Sequence, residues 1–246
     1  MVQLISVLGL CFVSLTVACK REHPQAEPTV YHLPTPGWIE TGALYVRTES
    51  NDPNVLLLRH VSPIEDIYFR RGMTPPETEV KPTKPVYRFK PGKNELERLQ
   101  PTAWAAATGA VVDCLLQPPG GEWRNDSRTI WRDGNQVSTA GAVVLDSKLS
   151  PDRQRFGVLS ADGPWHGSIM PFIGGGYAEG ARYHEVFRRA DNAREGKALK
   201  LAGTDEKELY FGCWSADGRY LIWADSYFAR LWIIQVPFDG TGKDDP

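Results

Sequence analysis

The residues best suited to acid–base or ligand chemistry lie in one stretch, residues 160–180, which reads SADGPWHGSIMPFIGGGYAEG. Here Asp162, Trp165, His166 and Ser168 bring together a carboxylate, an indole, an imidazole and a hydroxyl. Long loops over a rigid frame often bind ligands, so these four residues form a candidate ligand loop, with His166 and Asp162 as acid–base groups or metal ligands. The many glycines equally suit a plain hairpin connection that needs positive φ angles, and the composition favours that interpretation. Catalytic residues are therefore left unassigned.

Motifs that would identify a specific reaction are absent from the rest of the chain. The nucleophile elbow G-x-S-x-G, a P-loop lysine, H-E-x-x-H and an acidic Ca²⁺ loop do not occur, and no C-x₂-C pair suggests zinc. We therefore expect no metal and no cofactor. A formal net charge of −2 argues against a nucleic-acid partner, which would favour a basic chain.

A repeated pattern indicates the frame that must position the loop. KLSPDRQRFGVLSAD (residues 148–162) and CWSADGRYLIWAD (residues 213–225) each hold a Ser-x-Asp triplet, an apolar run and a closing Ala-Asp. Serine and aspartate side chains accept hydrogen bonds from turn amides, so each copy predicts a tight turn followed by a buried strand. No stretch shows the sustained apolar periodicity of a long helix.

The two copies resemble the S-P-D-G-[KR] strand–turn–strand motif of TolB-like and WD40-like β-propeller repeats. The second copy is the closer match, because Arg153 stands where the motif has glycine. The resemblance covers residues 148–236, about a third of the chain. It implies an all-β fold of β-propeller-like repeats of short antiparallel strands, with about four or five blades in a complete or an incomplete set. The alternative is an unrelated β-sandwich with two similar hairpins.

The N-terminus predicts export. Residues 1–18 are uncharged and apolar, too short for a comfortable membrane span, and are interpreted as a signal peptide. The ending LTVAC resembles the lipobox of bacterial lipoproteins, which implies cleavage before Cys19 and its lipidation. Thr16 and the lack of a preceding basic residue depart from that pattern, so ordinary secretion and an uncleaved anchor stay open. Residues 19–37 are Pro-rich and predict an extended tether, with the β-propeller-like domain over residues 38–246.

Two cysteines remain once Cys11 and Cys19 are assigned to the leader and the anchor. Cys114 and Cys213 each end a short apolar run and could form a disulfide in an oxidising compartment. Two independent buried thiols are the alternative.

These observations predict a function only at the level of class. We expect an exported, lipid-anchored envelope protein, periplasmic or surface-facing, that acts as a non-catalytic binding or scaffolding module. Its expected partners are the membrane, through the lipid anchor, and a protein of unknown identity. The alternatives are a small envelope hydrolase or lyase that uses the 160–180 loop, and a purely structural lipoprotein.

Overall fold

The protein is built from short antiparallel strands. The computed structural model describes residues 28–35, 43–61, 85–114, 116–126, 129–167, 176–202, 209–225 and 230–237. Within these ranges the chain forms four antiparallel sheets and a two-stranded ribbon, and none of the sheets closes on itself. The predicted all-β class is confirmed. No helix in the described ranges is long and apolar enough to cross a membrane.

In chain order the elements are β1 (Thr29–Pro34), β2 (Ala43–Thr48), β3 (Leu56–Val61), β4 (Val86–Phe89), β5 (Glu97–Leu99), the short helix α1 (Thr102–Ala106), β6 (Val111–Asp113), β7 (Trp123–Asp126), β8 (Thr129–Arg132), β9 (Asn135–Val137), β10 (Val143–Leu149), β11 (Arg155–Ala161), β12 (Trp165–Gly167), β13 (Gly176–Ala178), β14 (Arg182–Arg188), β15 (Arg194–Leu201), β16 (Leu209–Trp214), β17 (Tyr220–Asp225) and β18 (Arg230–Gln235). Sheet I has the order β5-β4-β3-β2-β6, sheet II β7-β8-β9, sheet III β10-β11-β14-β15 and sheet IV β1-β18-β17-β16. The ribbon is β12-β13.

Sheet IV is buried on both faces, which explains its nearly continuous apolar strands. Successive side chains of a strand point to opposite faces, so Ile222 and Ile233 pack toward sheet I while Trp223 and Trp232 pack toward sheet III. All four are at most 1% exposed. Strands with alternating polar and apolar residues would bury polar side chains on one of these two faces, and the strands of sheet IV are therefore apolar at successive positions.

Two further clusters extend the packing outward from sheet IV. Phe156 and Phe187 of sheet III stack at 5.4 Å and form a core with Val137 and Trp123 of sheet II. The far face of sheet I is covered by Trp104 of helix α1. The described core clusters therefore link the sheets in the order I, IV, III and II.

The N-terminal strand differs from the expected boundary between tether and domain. Thr29–Pro34 pair with the last strand, from Thr29↔Gln235 to Pro34↔Arg230, so the chain enters the fold before residue 38. Tyr31 and Leu33 point into the core, and the His32 ring stacks on Trp232 at 4.8 Å. Burial of the alternating apolar side chains favours a strand here despite the Pro-rich composition. Pro34 is compatible with this strand because it lies at the end of an edge strand, where a missing N–H is tolerated. Residues 1–27, with the predicted signal peptide and Cys19, lie outside the described residues.

The repeated triplets form equivalent turns. The Ser215 hydroxyl donates to Asp217 at 2.6 Å and accepts from Tyr220 N at 3.0 Å. In the first copy the Ser150 hydroxyl donates to Asp152 and accepts from Arg155 N at 3.0 Å.

The two turns also share their backbone conformation. Arg153 (φ 60°) occupies the left-handed position that Gly218 (φ 71°) occupies in the second copy. The departure from the glycine of the motif therefore changes the side chain and leaves the turn geometry intact.

Candidate functional site

The candidate ligand loop is carried on the ribbon that interrupts sheet III between β11 and β14. Trp165 pairs with Ala178 and His166 with Tyr177, so the chain leaves the sheet, runs out along β12 and returns along β13. The side chains of Trp165 and His166, and the whole of Ser168, lie outside the described residues. The structure therefore places the backbone of two predicted site residues and describes the side chain of Asp162 only.

Asp162 fastens the base of the ribbon. Its Oδ1 accepts a hydrogen bond from Ala181 N at 2.8 Å, and its Oδ2 accepts one from the Tyr183 hydroxyl at 3.1 Å. Its own amide donates to Ala181 O at 3.2 Å. Gly180, at φ +80°, lies so close to Oδ1 that a Cβ there would overlap the carboxylate. Both carboxylate oxygens thus join the segment that enters the ribbon to the segment that leaves it.

Arg182 stabilises the base of the ribbon from inside the protein. It is 2% exposed, and its guanidinium donates to the carbonyl oxygens of Gly180 and Ala178. Ala178 ends the returning strand β13 and Gly180 lies just after it, so these charge-assisted bonds fix the end of the ribbon. The sequence offered no signal for this role, because an arginine beginning a strand normally points to water.

A buried polar cluster lies below the ribbon. The fully buried Glu185 carboxylate accepts from Ala140 N at 2.9 Å and from the Ser160 hydroxyl at 3.2 Å, and its other oxygen pairs with Arg194 at 2.9 Å. Ser160 in turn accepts from Gly141 N at 3.1 Å. Glu185 and Ser160 thus bind the loop between β9 and β10 to sheet III, and Ser160 is 0% exposed, so its hydroxyl is not accessible to a substrate.

His184 lies on the opposite face of β14, between sheets III and IV. Its Nδ1 accepts a hydrogen bond from Trp223 Nε1 at 3.2 Å, so the proton of the neutral ring is on Nε2. Burial lowers the pKa of His184 to about 3. The imidazole is therefore neutral at every physiological pH and contributes no charge to a ligand site.

The edge strands β6, β16 and β10 of sheets I, IV and III are in contact near the disulfide. Cys114, after β6, is joined to Cys213 of β16, with their Cα atoms 4.8 Å apart. The Gln117 side-chain amide donates to Trp214 O at 2.8 Å and accepts from Trp214 N at 2.7 Å. It thereby makes the two hydrogen bonds that the backbone of a neighbouring strand would make. These contacts fix the segment after β6 against sheet IV.

Asp146 is a buried acidic group at this junction. It accepts a hydrogen bond from Ser147 N of the same strand at 2.8 Å and one from Gly212 N at 3.1 Å, and the second bond links β10 to β16. Burial raises the pKa of the Asp146 carboxyl, while the Lys148 ammonium, 3.7 Å away, opposes that shift. The β10 bulge between Val144 and Asp146 turns this side chain toward β16.

The described side chains use their polar atoms for structure at each of these places. Across the described ranges no group of three His, Cys, Asp or Glu residues could hold a metal ion. What the arrangement offers is a ribbon fixed at its base to a rigid set of sheets.

Comparisons with known proteins add no functional identification. No model of a known protein family matches the chain, and no curated protein shows significant sequence similarity to it.

Proposed function

We propose that this chain is an exported, lipid-anchored envelope protein that binds a protein partner through the ribbon and performs no covalent chemistry. The observation that carries the proposal is the base of the ribbon, where Asp162 bonds Ala181 N and the Tyr183 hydroxyl, and Arg182 bonds two backbone carbonyls. A ribbon fixed at its base in this way is suited to presenting a surface to a partner.

The disulfide supports an oxidising compartment. Disulfides persist in secreted and periplasmic proteins and are rare in the reducing cytosol. The pair Cys114–Cys213 closes a loop with a sequence separation of 99 residues, and both residues are 0% exposed. This agrees with the uncharged apolar leader and with Cys19 as the lipidation site.

The frame is proposed to be an incomplete β-propeller. Sheets I, II, III and IV each present one edge strand, β6, β7, β10 and β16, and β10 contacts both β7 and β16 while β16 contacts β6. In propellers the blades pack face to face around inner strands, and the first and last parts of the chain can share a blade. Pairing of β1 with β18 has that character. Helix α1 covers the face of sheet I that a closed ring would pack against another blade.

The first test is the intact mass of the mature protein purified from membranes of its own source. The proposal predicts an N-terminal Cys19 with a diacyl or triacyl adduct, and release of the Cys19→Ser variant from the membrane. An unmodified N-terminus at or beyond Cys19 contradicts the anchor and makes the chain a free secreted protein.

The second test addresses the partner. A photo-crosslinking amino acid at position 166 of the ribbon is compared with one at Arg98, an exposed residue of β5. We expect a discrete, saturable adduct from position 166 and none from position 98. Equal labelling at the two positions contradicts the ribbon as the binding element and favours a purely structural lipoprotein.

A further inference from the structure

Four arginines gather where two hairpin turns of sheet III lie side by side. Arg155 begins β11 and is the register partner of Arg188 at the end of β14. Arg189 N donates to Gln154 O at 2.8 Å, so the turn at 150–154 and the turn at 189–193 are in contact. We name Arg153, Arg155, Arg188 and Arg189 the arginine patch.

The carboxylates nearest the patch in sequence are already occupied. Asp152 accepts hydrogen bonds from Ser150 and from Gln154 N within its own turn. Asp191 pairs with Arg188 at 2.6 Å. In the described part of the chain, Arg153, Arg155 and Arg189 have no acidic side chain within ion-pair distance.

The backbone at Arg153 is unfavourable for an arginine. Its φ is 60°, the left-handed region that glycine adopts freely and other residues avoid. The equivalent turn of sheet IV has Gly218 at this position. Because strain of this kind concentrates at functional sites, the side chain of Arg153 indicates a role beyond the turn.

Repulsion between like charges is a second unfavourable contribution at the arginine patch. Arg155 and Arg188 are direct cross-strand partners, an arrangement that repels. Burial lowers the pKa of the neighbouring Arg132, and the charge of Arg189 acts in the same direction. Positive charge has therefore accumulated at the end of sheet III where these two turns lie, in a chain whose net charge is −2.

The sister turn of sheet IV shows the ordinary solution. Its arginine, Arg219, donates to Asn54 Oδ1 at 3.1 Å and lies 3.7 Å from Asp217. The same turn geometry thus carries a locally satisfied arginine in one sheet and arginines without carboxylate partners in the other.

We propose that the arginine patch binds a phosphate-bearing group. The planar guanidinium presents paired N–H donors that match phosphate oxygens, and a phosphate carries more charge than the single carboxylate that would satisfy one arginine. The phosphate can belong to a lipid headgroup or to a free phosphate compound. The headgroup source rests on the proposed membrane anchor, whereas binding of phosphate itself does not depend on that anchor.

The test titrates the full chain in detergent with inorganic phosphate, against sodium chloride at the same ionic strength. The melting temperature and the tryptophan fluorescence are followed, because the Arg155 guanidinium lies 5.6 Å from the Trp214 ring. Arg153→Gly and Arg189→Gln are compared with Arg98→Gln on the outer strand β5. The Arg153→Gly variant separates binding from folding, because it relieves backbone strain while it removes a charge.

We expect saturable stabilisation of the parent protein and of Arg98→Gln by phosphate. Arg153→Gly should melt at a higher temperature without phosphate and yet bind phosphate about tenfold more weakly, as loss of one charge-assisted hydrogen bond requires. Arg189→Gln should weaken binding to a similar degree. Equal responses of all variants, or no saturable response beyond that to chloride, overturn the proposal.

A competition experiment distinguishes the two sources. Soluble dihexanoyl phosphatidylglycerol is added to the phosphate-bound protein, with zwitterionic dihexanoyl phosphatidylcholine as the control. Displacement by phosphatidylglycerol alone supports a headgroup. If the protein keeps its bound phosphate in the presence of either lipid, the result supports a free phosphate compound as the ligand. Loss of the Cys19 adduct in the mass experiment would remove the membrane anchor and leave this measurement unaffected.

Discussion

The buried imidazole of His184 gives the fold a specific sensitivity to acid. In the folded protein its pKa is lowered by burial to about 3, while in the unfolded chain it takes the ordinary value of 6.5. Between these values the unfolded chain binds a proton at His184 and the folded protein does not. Stability contributed at this site is therefore intact above pH 6.5 and falls as the pH falls toward 3.

The magnitude follows from the size of the shift. One pKa unit corresponds to about 1.4 kcal/mol, so the free energy of unfolding should fall by about 1.4 kcal/mol for each pH unit below 6.5 through this residue alone. At pH 4.5 the loss amounts to about 3 kcal/mol. That is a large share of the usual stability of a domain.

The assay compares the parent protein with His184→Asn by urea denaturation between pH 4.5 and 8. The asparagine oxygen can replace Nδ1 as the acceptor for Trp223 Nε1, and the side chain does not titrate. Carboxylates titrate in both proteins, so the difference between their unfolding free energies isolates His184. We expect that difference to be constant above pH 6.5 and to move steadily in favour of the variant below it.

A direct measurement provides the control. The ring proton resonances of His184 should keep their neutral positions down to pH 4 in the folded protein. A pH-independent stability difference, together with an imidazole that titrates near pH 6.5, would refute the assignment of a buried neutral His184.

The remaining predictions concern the turns, the disulfide and the ribbon. Arg153→Gly should raise the free energy of unfolding by about 1 kcal/mol, because glycine adopts the left-handed conformation without strain. Gly218→Ala should lower the free energy of unfolding by about 1 kcal/mol. The nearest atom to the new Cβ is 3.8 Å away, so this loss reports the backbone conformation alone. A change in the same direction for both variants would contradict the equivalence of the two turns. Replacing both Cys114 and Cys213 by alanine should cost about 4–5 kcal/mol in the chain-entropy model of a loop this long, as measured by thermal denaturation with and without reductant. Asp162→Ala should cost about 1 kcal/mol and make the segment between residues 163 and 180 the first site of limited proteolysis; unchanged cleavage would show that the carboxylate does not hold the ribbon.

The turns were predictable from the sequence because their chemistry is local. Ser150 and Ser215 bond to atoms at most five residues away, so a short motif contains all the partners. The same holds for the strands that follow, whose apolar runs indicate burial wherever they pack. The sequence could not show that Arg153 takes the glycine conformation, since this depends on the backbone alone.

The site residues were less predictable because their partners are distant. The sequence predicts Asp162 as an acid–base group or a metal ligand, whereas its partners in the structure, Ala181 and Tyr183, follow it by 19 and 21 residues. Arg182 and Glu185 are read from sequence as surface charges. Their burial follows from the crossing of the ribbon and from the position of Arg194 on the next strand.

The sequence by itself determined the local features of this protein: short strands, Ser-x-Asp turns, an uncharged apolar segment at the N-terminus and two cysteines that could pair. Tertiary structure alone decided that Thr29–Pro34 join the last sheet, that Cys114 meets Cys213, and that arginines of two turns lie together at one end of sheet III. The physical reason is range. Turn and strand preferences arise from neighbouring residues, whereas burial, ion pairing and the accumulation of like charge depend on which distant segments the packed sheets bring into contact.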